Sequence, residues 1–106
     1  MAMMWIQFVK TDPPEWMRHC NVIRDKYGET IAMKWINITE GTPPKWMRHD
    51  SALANNDGWT MAMIWIEKVK TDVLGWMRHD ITLRNMDGWT MAMLWIKNVK
   101  IDHLNG

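Results

Sequence analysis

Apolar side chains recur with helical spacing in the segment that follows Thr60. Ala62, Trp65, Ile66 and Val69 lie at i, i+3, i+4 and i+7, and threonine is favoured immediately before a helix. A strand is the competing interpretation, because large apolar residues also alternate at positions 61, 63 and 65. The pattern continues for about ten residues without a turn signal, and this length favours the helix.

The segment recurs at a fixed spacing of thirty residues. Residues 57–66 read DGWTMAMIWI, residues 87–96 read DGWTMAMLWI, residues 27–36 read YGETIAMKWI, and residues 2–6 read AMMWI. Such self-similarity indicates stacked repeats. We therefore predict an all-α fold, a helical repeat solenoid of about three repeats in a single domain, 1–106. Its predicted units are a partial first unit at 1–27, a second at 28–57, a third at 58–87 and a truncated fourth at 88–106.

A second, shorter helix is predicted in each unit. Residues 12–15 read Asp-Pro-Pro-Glu, which places a capping residue before proline at the first helical position and an acid two residues later. Residues 42–45 keep the cap and the prolines, and residues 72–75 keep only the cap. The helix is expected to have about two turns, roughly 12 Å at ~1.5 Å per residue. The chain then reaches a turn at Asp57 and Gly58, where glycine can adopt a positive φ.

Composition and charge narrow the classes of function. The 106 residues are 47% hydrophobic and 24% charged, and the formal net charge is +1. This near balance offers no electrostatic footprint for nucleic acid or an anionic membrane. The longest apolar runs are far below the ~20 residues of a membrane helix, and no signal peptide is evident. The single Cys20 excludes an intramolecular disulfide, so a soluble protein of the reducing cytoplasm is expected.

The repeating unit resembles an ankyrin repeat. Asp57-Gly58-Trp59-Thr60 is similar to the glycine-containing tip of that family and to the threonine that opens its first helix, and residues 87–90 repeat the match. Asp50 and Asp80 stand where the family places the Asp of its Gly-Ala-Asp segment. The period is thirty rather than 33 residues, and Thr-Met-Ala-Met replaces the family's Thr-Pro-Leu-His. The resemblance implies that the first helices and the tips line a concave face that binds other proteins.

The histidines and the lone cysteine are the candidates for chemistry. His49-Asp50 and His79-Asp80 suggest metal or acid–base sites, but repeats stacked roughly 10 Å apart cannot share an ion that needs ligands at ~2.0–2.3 Å. We expect these histidines to bond carbonyls at the end of the short helix. Cys20 could act as a nucleophile beside His19, but no third orienting residue is evident. With no other catalytic or phosphate-binding motif, we predict neither an enzyme nor a cofactor.

Two kinds of position are predicted to contact a partner. Trp59 and Trp89 follow the tip glycine at a position where the second unit has Glu29, so an exposed location is expected, and tryptophan is a favoured interface anchor. One column of the first helix accepts lysine in one unit and apolar residues in the others, and it is expected to face outward as a partly apolar groove. The predicted partner-binding set is Trp59, Trp89, Tyr27, Met4, Lys34, Ile64 and Leu94.

Two functions follow from this reading. The first is a protein–protein interaction module that binds a partner through its tips and first-helix faces. The second is a self-assembling structural unit, because the chain shows no polar cap at either end of the expected stack and repeat arrays need such caps. Copies of the chain would then form homo-oligomers or filaments. The regular register and the bulky core positions would also suit a designed sequence.

Overall fold

Four α-helices at a spacing of thirty residues form the framework of this computed structural model, which describes residues 2–100. Helix α1 spans Ala2–Val9, α2 spans Ile31–Thr39, α3 spans Met61–Val69 and α4 spans Met91–Trp95, after which Ile96–Lys100 continue as a π-helical turn. No strand occurs within residues 2–100. The predicted all-α class is confirmed, and helix rather than strand is correct for the repeated segment.

A threonine caps the start of the last three helices. The hydroxyl of Thr60 accepts a hydrogen bond from the backbone N–H of Met63 at 3.3 Å, and Thr30 and Thr90 cap α2 and α4 in the same way. Each threonine is extended, with ψ between 167° and 171°. The side chain therefore satisfies a backbone donor that the first helical turn leaves unpaired, which is the usual action of an N-cap residue.

The predicted second helix is wrong in length and in its start. Each unit instead has one turn of 3₁₀-helix, at Glu15–Met17, Lys45–Met47 and Gly75–Met77. Pro13 does not open a helix, because the turn begins only at Glu15, and Pro14 immediately before it is extended at φ −55° and ψ 153°. Pro14 disfavours helical geometry in Pro13 before it. The same single turn follows Val73 and Leu74, so the reason common to all units is that a two-turn helix gains few hydrogen bonds for the cost of nucleation.

Consecutive helices pack against one another in chain order, α1 against α2, α2 against α3 and α3 against α4. Their contacts bury one apolar cluster, to which the 3₁₀ turns add Met47 and Met77. The helices contribute the fully buried residues Ala32, Met33, Ile36, Ala62, Met63 and Ile66. The described chain is compact, with a radius of gyration of 13.8 Å. Within residues 2–100, no helix combines the length and apolar character needed to cross a membrane.

Candidate partner-binding surface

The loops before α2, α3 and α4, which we call the tips, share one hydrogen-bonded geometry over residues 25–29, 55–59 and 85–89. In the first tip, the Oδ1 atom of Asp25 accepts from the backbone N–H groups of Tyr27 at 2.9 Å and Glu29 at 3.0 Å. Asn55 and Asn85 repeat both contacts in the other tips. The side chain thus takes the place of a backbone partner and fixes the loop.

Consecutive tips are joined by backbone hydrogen bonds. The N–H of Asn56 donates to the carbonyl of Tyr27 at 3.0 Å, and the N–H of Met86 donates to the carbonyl of Asp57 at 2.8 Å. Glycine allows this approach: a Cβ on Gly58, at φ +81°, would lie 2.9 Å from a backbone atom of the next tip. The tips therefore form a ladder that fixes the spacing of side chains carried on them.

Three of the predicted partner-binding residues, Met4, Tyr27 and Lys34, meet in one open groove. Its volume is about 760 Å³, and it lies between α1, α2 and the first tip, with Lys68 of α3 at its border. Met4 is 63% exposed and Tyr27 is 58% exposed. The side chains that line it are Met3, Met4, Gln7, Asp25, Lys26, Tyr27, Glu29, Lys34, Asn37, Ile38 and Lys68.

Ion pairs and hydrogen bonds hold the polar wall of this groove. The ammonium of Lys34 lies 3.1 Å from the carboxylate of Asp25, and the Nδ2 of Asn37 donates to Glu29 at 2.6 Å. Burial raises the pKa of Asp25, but the N–H groups of Glu29 and Tyr27 and the charge of Lys34 together outweigh it, so the pKa is lowered. Asp25 is therefore ionised at neutral pH and holds Lys34 in place.

Trp59 and Ile64 border a second depression of about 300 Å³ beside the first. Asn37 and Lys68 line both, so the two depressions adjoin along α2 and α3. Trp59 is half-buried and packs on the core cluster. Trp89, in the last tip, is 36% exposed, and the ammonium of Lys97 lies 5.2 Å from its ring centroid.

The predicted outward orientation is wrong for Ile64 and Leu94. Ile64 is 5% exposed and Leu94 is 2% exposed, whereas Met4 in the same column is 63% exposed. The difference arises because α3 and α4 each have a preceding helix packed against this column, and α1 has none within the described residues. Lys34 is compatible with partial burial because Asp25 neutralises it, so a lysine in the column does not indicate an exposed position.

In the second and third units, a histidine near the end of the unit contacts the threonine that caps its first helix. The sequence alone did not lead us to predict this pair. The Nε2 atom of His49 lies 2.6 Å from the hydroxyl of Thr30, and His79 and Thr60 form the same pair at 2.7 Å. The other ring nitrogen, Nδ1, contacts a carbonyl at 2.8 Å, that of Asp50 in the case of His49. Because a carbonyl only accepts, Nδ1 carries the proton, and the threonine donates to Nε2. The sequence signal for this pair was the spacing of nineteen residues from threonine to histidine, which occurs in two units.

The environment of His49 favours its neutral form. Burial is the largest influence and lowers the pKa, and the nearby positive charge of Arg24 lowers it further. The carbonyl hydrogen bond and the charge of Asp50 raise it, but by less. The prediction that the histidines bond carbonyls at the end of the short helix is wrong in the partner: His49 contacts the carbonyl of Asp50, which lies beyond the turn Lys45–Met47. Its ring also anchors the end of the unit to the cap of α2.

Arginine and tryptophan columns meet between units. The guanidinium carbon of Arg18 lies 5.2 Å from the ring centroid of Trp46, and that of Arg48 lies 4.6 Å from that of Trp76. Both are distances at which a cation is attracted to an aromatic face. Trp46 and Trp76 therefore join neighbouring units. The structure places no metal-binding group of three or more His, Cys, Asp or Glu side chains among residues 2–100.

Comparisons with protein families, with curated proteins and with solved structures find no match to this chain. A function for it must therefore be argued from the site itself. The features of the chain that bear on function are the groove, the charges on its wall and the distribution of exposed apolar side chains.

Proposed function

We propose that this protein is a protein–protein interaction module that binds a partner in the groove between α1, α2 and the first tip, and that it catalyses no reaction. The observation that carries the proposal is the convergence of Met4, Tyr27 and Lys34 on one groove of about 760 Å³. Exposed aromatic and methionine side chains beside fixed charges are typical of binding surfaces.

We further propose that the units form a short helical repeat solenoid of the ankyrin-like kind. The support is the chain-order packing of the four helices together with the hydrogen-bonded ladder of tips. In such an arrangement each unit contacts its neighbours, and the first helices and tips offer one continuous rigid surface. In this proposal, a single 3₁₀ turn stands where an ankyrin unit has its second helix.

The partner that suits the groove is a protein segment with apolar side chains next to an acidic residue. Met4 and Tyr27 supply the apolar contacts. Lys26 stacks on the ring of Tyr27, with its ammonium 5.1 Å from the centroid. Neither Lys26 nor Lys68 has an ion-pair partner among residues 2–100, so both can meet an acid on the partner. The side chains in the wall of the groove are already held by hydrogen bonds and an ion pair, so they lose less conformational entropy when a partner binds.

Selection from a library of short random peptides displayed on phage tests this proposal. Enriched peptides are expected to combine apolar and acidic residues and to bind the purified protein in calorimetry. Met4→Glu should weaken that binding by at least about tenfold, since it places a charge among apolar contacts. Met86→Glu is the matched control, because Met86 is 75% exposed and does not line the groove.

Two outcomes would contradict the groove as the binding site. One is a selection that yields no peptide with measurable affinity. The other is a peptide whose affinity is unchanged by Met4→Glu and by Tyr27→Ala, because those variants remove the two exposed apolar contacts. Circular dichroism of both variants establishes that they remain folded.

A second candidate function is self-assembly as a structural unit. The observation that favours it is the exposure of α4 and the turn that continues it. Met93 is 43% exposed and Ile96 is 54% exposed, whereas their counterparts Met63 and Ile66 are fully buried. An apolar surface of this kind on a helix marks a contact with another molecule.

A further inference from the structure

We infer that two copies of this chain associate head to tail, through an apolar face of α4 on one copy and an apolar face of α1 on the next. The inference rests on the second proposed function, and its head face shares only Met4 with the groove. The tail face consists of Ala92, Met93 and Ile96, and the head face consists of Met4 and Phe8.

Exposed large apolar side chains occupy only two stretches of the described chain. Of residues 2–100, those more than about a third exposed lie between Met4 and Tyr27 or between Ile81 and Ile96. None lies between them, where units pack on both sides. Within residues 2–100, α1 and α4 each pack against only one of the other helices, and their exposed apolar side chains, Met4, Phe8, Met93 and Ile96, belong to this surface.

The tail face is a second copy of a face that is already part of an internal interface. Ala62, Met63 and Ile66 of α3 are fully buried, and α4 is the next helix packed against α3. Thirty residues later the same three residue types recur as the tail face, with Met93 and Ile96 about half exposed. This type of surface already packs against a helix of the same repeated sequence within the chain. Its copy on α4 is therefore suited to pack against such a helix in a second copy of the protein.

The head face occupies the same repeat positions as the residues of the fourth unit that pack against α3. Leu94 and Asn98 lie on the side of the fourth unit that meets α3, and they are 2% and 7% exposed. Their counterparts in the first unit are Met4 and Phe8, which are 63% and 73% exposed. Met4 and Phe8 lie one helical turn apart, on the same side of α1. Both are apolar, so covering them removes no charge from water.

The internal interface also sets the polarity of the association. Between α3 and the fourth unit it joins two different faces, that of Ala62, Met63 and Ile66 on α3 and that of Leu94 and Asn98 on the fourth unit. A contact that repeats it is therefore heterologous, and it leads to rings or open filaments rather than to a closed two-fold dimer. The net charge of +1 offers little repulsion between copies.

Variants that block one face at a time test both the association and its polarity. Phe8→Glu blocks the head face and Ile96→Glu blocks the tail face, and both positions are exposed, so the fold should persist. In size-exclusion chromatography with light scattering, the mass of the wild type should rise above 12.6 kDa with concentration. Each variant alone should stay at one chain, its association weakened by at least about tenfold.

The mixture of the two variants is the decisive sample. Phe8→Glu retains the tail face and Ile96→Glu retains the head face, so an equal mixture should form a dimer of twice 12.6 kDa and grow no further. Thr71→Glu, an exposed change of equal charge in the third unit, is the matched control and should associate like the wild type.

The possible negative results distinguish an error in the head-to-tail polarity from an error in the proposed self-assembly. If either single variant still associates on its own, the contact joins like faces and the head-to-tail arrangement is wrong. The same conclusion follows if the mixture stays at the mass of one chain while the wild type associates. A wild type that remains at one chain at every concentration would overturn self-assembly itself, and it would leave the groove proposal unaffected.

Discussion

Replacing Thr60 by valine should destabilise the protein more than the loss of one helix cap would. Thr60 is 1% exposed. Its hydroxyl accepts from the N–H of Met63 at 3.3 Å and donates to the Nε2 of His79 at 2.7 Å. Valine has nearly the same shape, so Thr60→Val removes both hydrogen bonds without opening a cavity in the core.

The magnitude follows from the two contacts. Removing the cap costs about 1 kcal/mol, and leaving the partly buried ring nitrogen of His79 without its donor costs about 1–3 kcal/mol. The expected loss in the free energy of unfolding is therefore about 2–4 kcal/mol. For a domain of this size that corresponds to a fall in Tm of roughly 10–20 °C.

Urea unfolding followed by tryptophan fluorescence measures the loss. Thr71→Val is the matched control, because Thr71 is exposed, and it should change stability by less than ~0.5 kcal/mol. Adding His79→Leu to Thr60→Val completes a double-mutant cycle, in which the pair should couple by about 1 kcal/mol or more. A Thr60→Val loss no larger than that of the control, or strict additivity with His79→Leu, would refute the role assigned to the pair.

Three further predictions concern the free energy of unfolding. Gly88→Ala should cost about 1 kcal/mol for its left-handed backbone, and Gly58→Ala should cost about 1–3 kcal/mol more because its Cβ meets the next tip; equal losses would contradict the ladder of tips. Gly41→Thr should add about 1 kcal/mol by offering a hydroxyl to the buried Nε1 of Trp35, which has no hydrogen-bond partner among residues 2–100 and lies 3.9 Å from the new Cβ; Gly41→Val, which lacks the hydroxyl, should give no such gain. Because the folded pKa of His49 lies below its unfolded value of 6.5, the unfolded chain binds the proton first and stability should decline as pH falls through 6.5; a decline of equal size in a His49→Phe variant would exclude this residue as a source.

The first helices were predictable because several local signals agree. Helical periodicity, a capping threonine and an apolar stripe all mark the segment after Thr60, and the thirty-residue register extends the assignment to the other units. The second helix was predicted wrongly because so short a helix does not offset the cost of nucleation, as the third unit shows with Val73 and Leu74 in place of the prolines. In the first unit, two local rules also compete in the Pro13-Pro14 pair. Proline suits the start of a helix, but it also keeps the residue before it out of helical geometry.

The site was harder to predict because exposure here depends on neighbours rather than on sequence. The column of Met4 and Ile64 goes from mostly exposed to buried when a preceding helix packs against it, and no periodicity within one unit reveals that difference. Lys34 suggested an exposed column for another reason. Its partner Asp25 lies in a tip, and only the fold brings the two residues together. The pairing of His49 with Thr30 likewise depends on the path of the chain between them.

The two proposed functions share α1, and this links them. Met4 lines the groove and also forms half of the head face. A second copy packed on α1 would cover Met4, and a peptide seated in the groove would cover the same side chain. Since each ligand uses a surface that the other needs, their binding free energies oppose each other at this end of the molecule. The last tip and the tail face lie outside the groove, so a copy with its groove occupied can still bind the head face of another copy. Partner binding should therefore limit the length of an assembly without dissolving every contact in it.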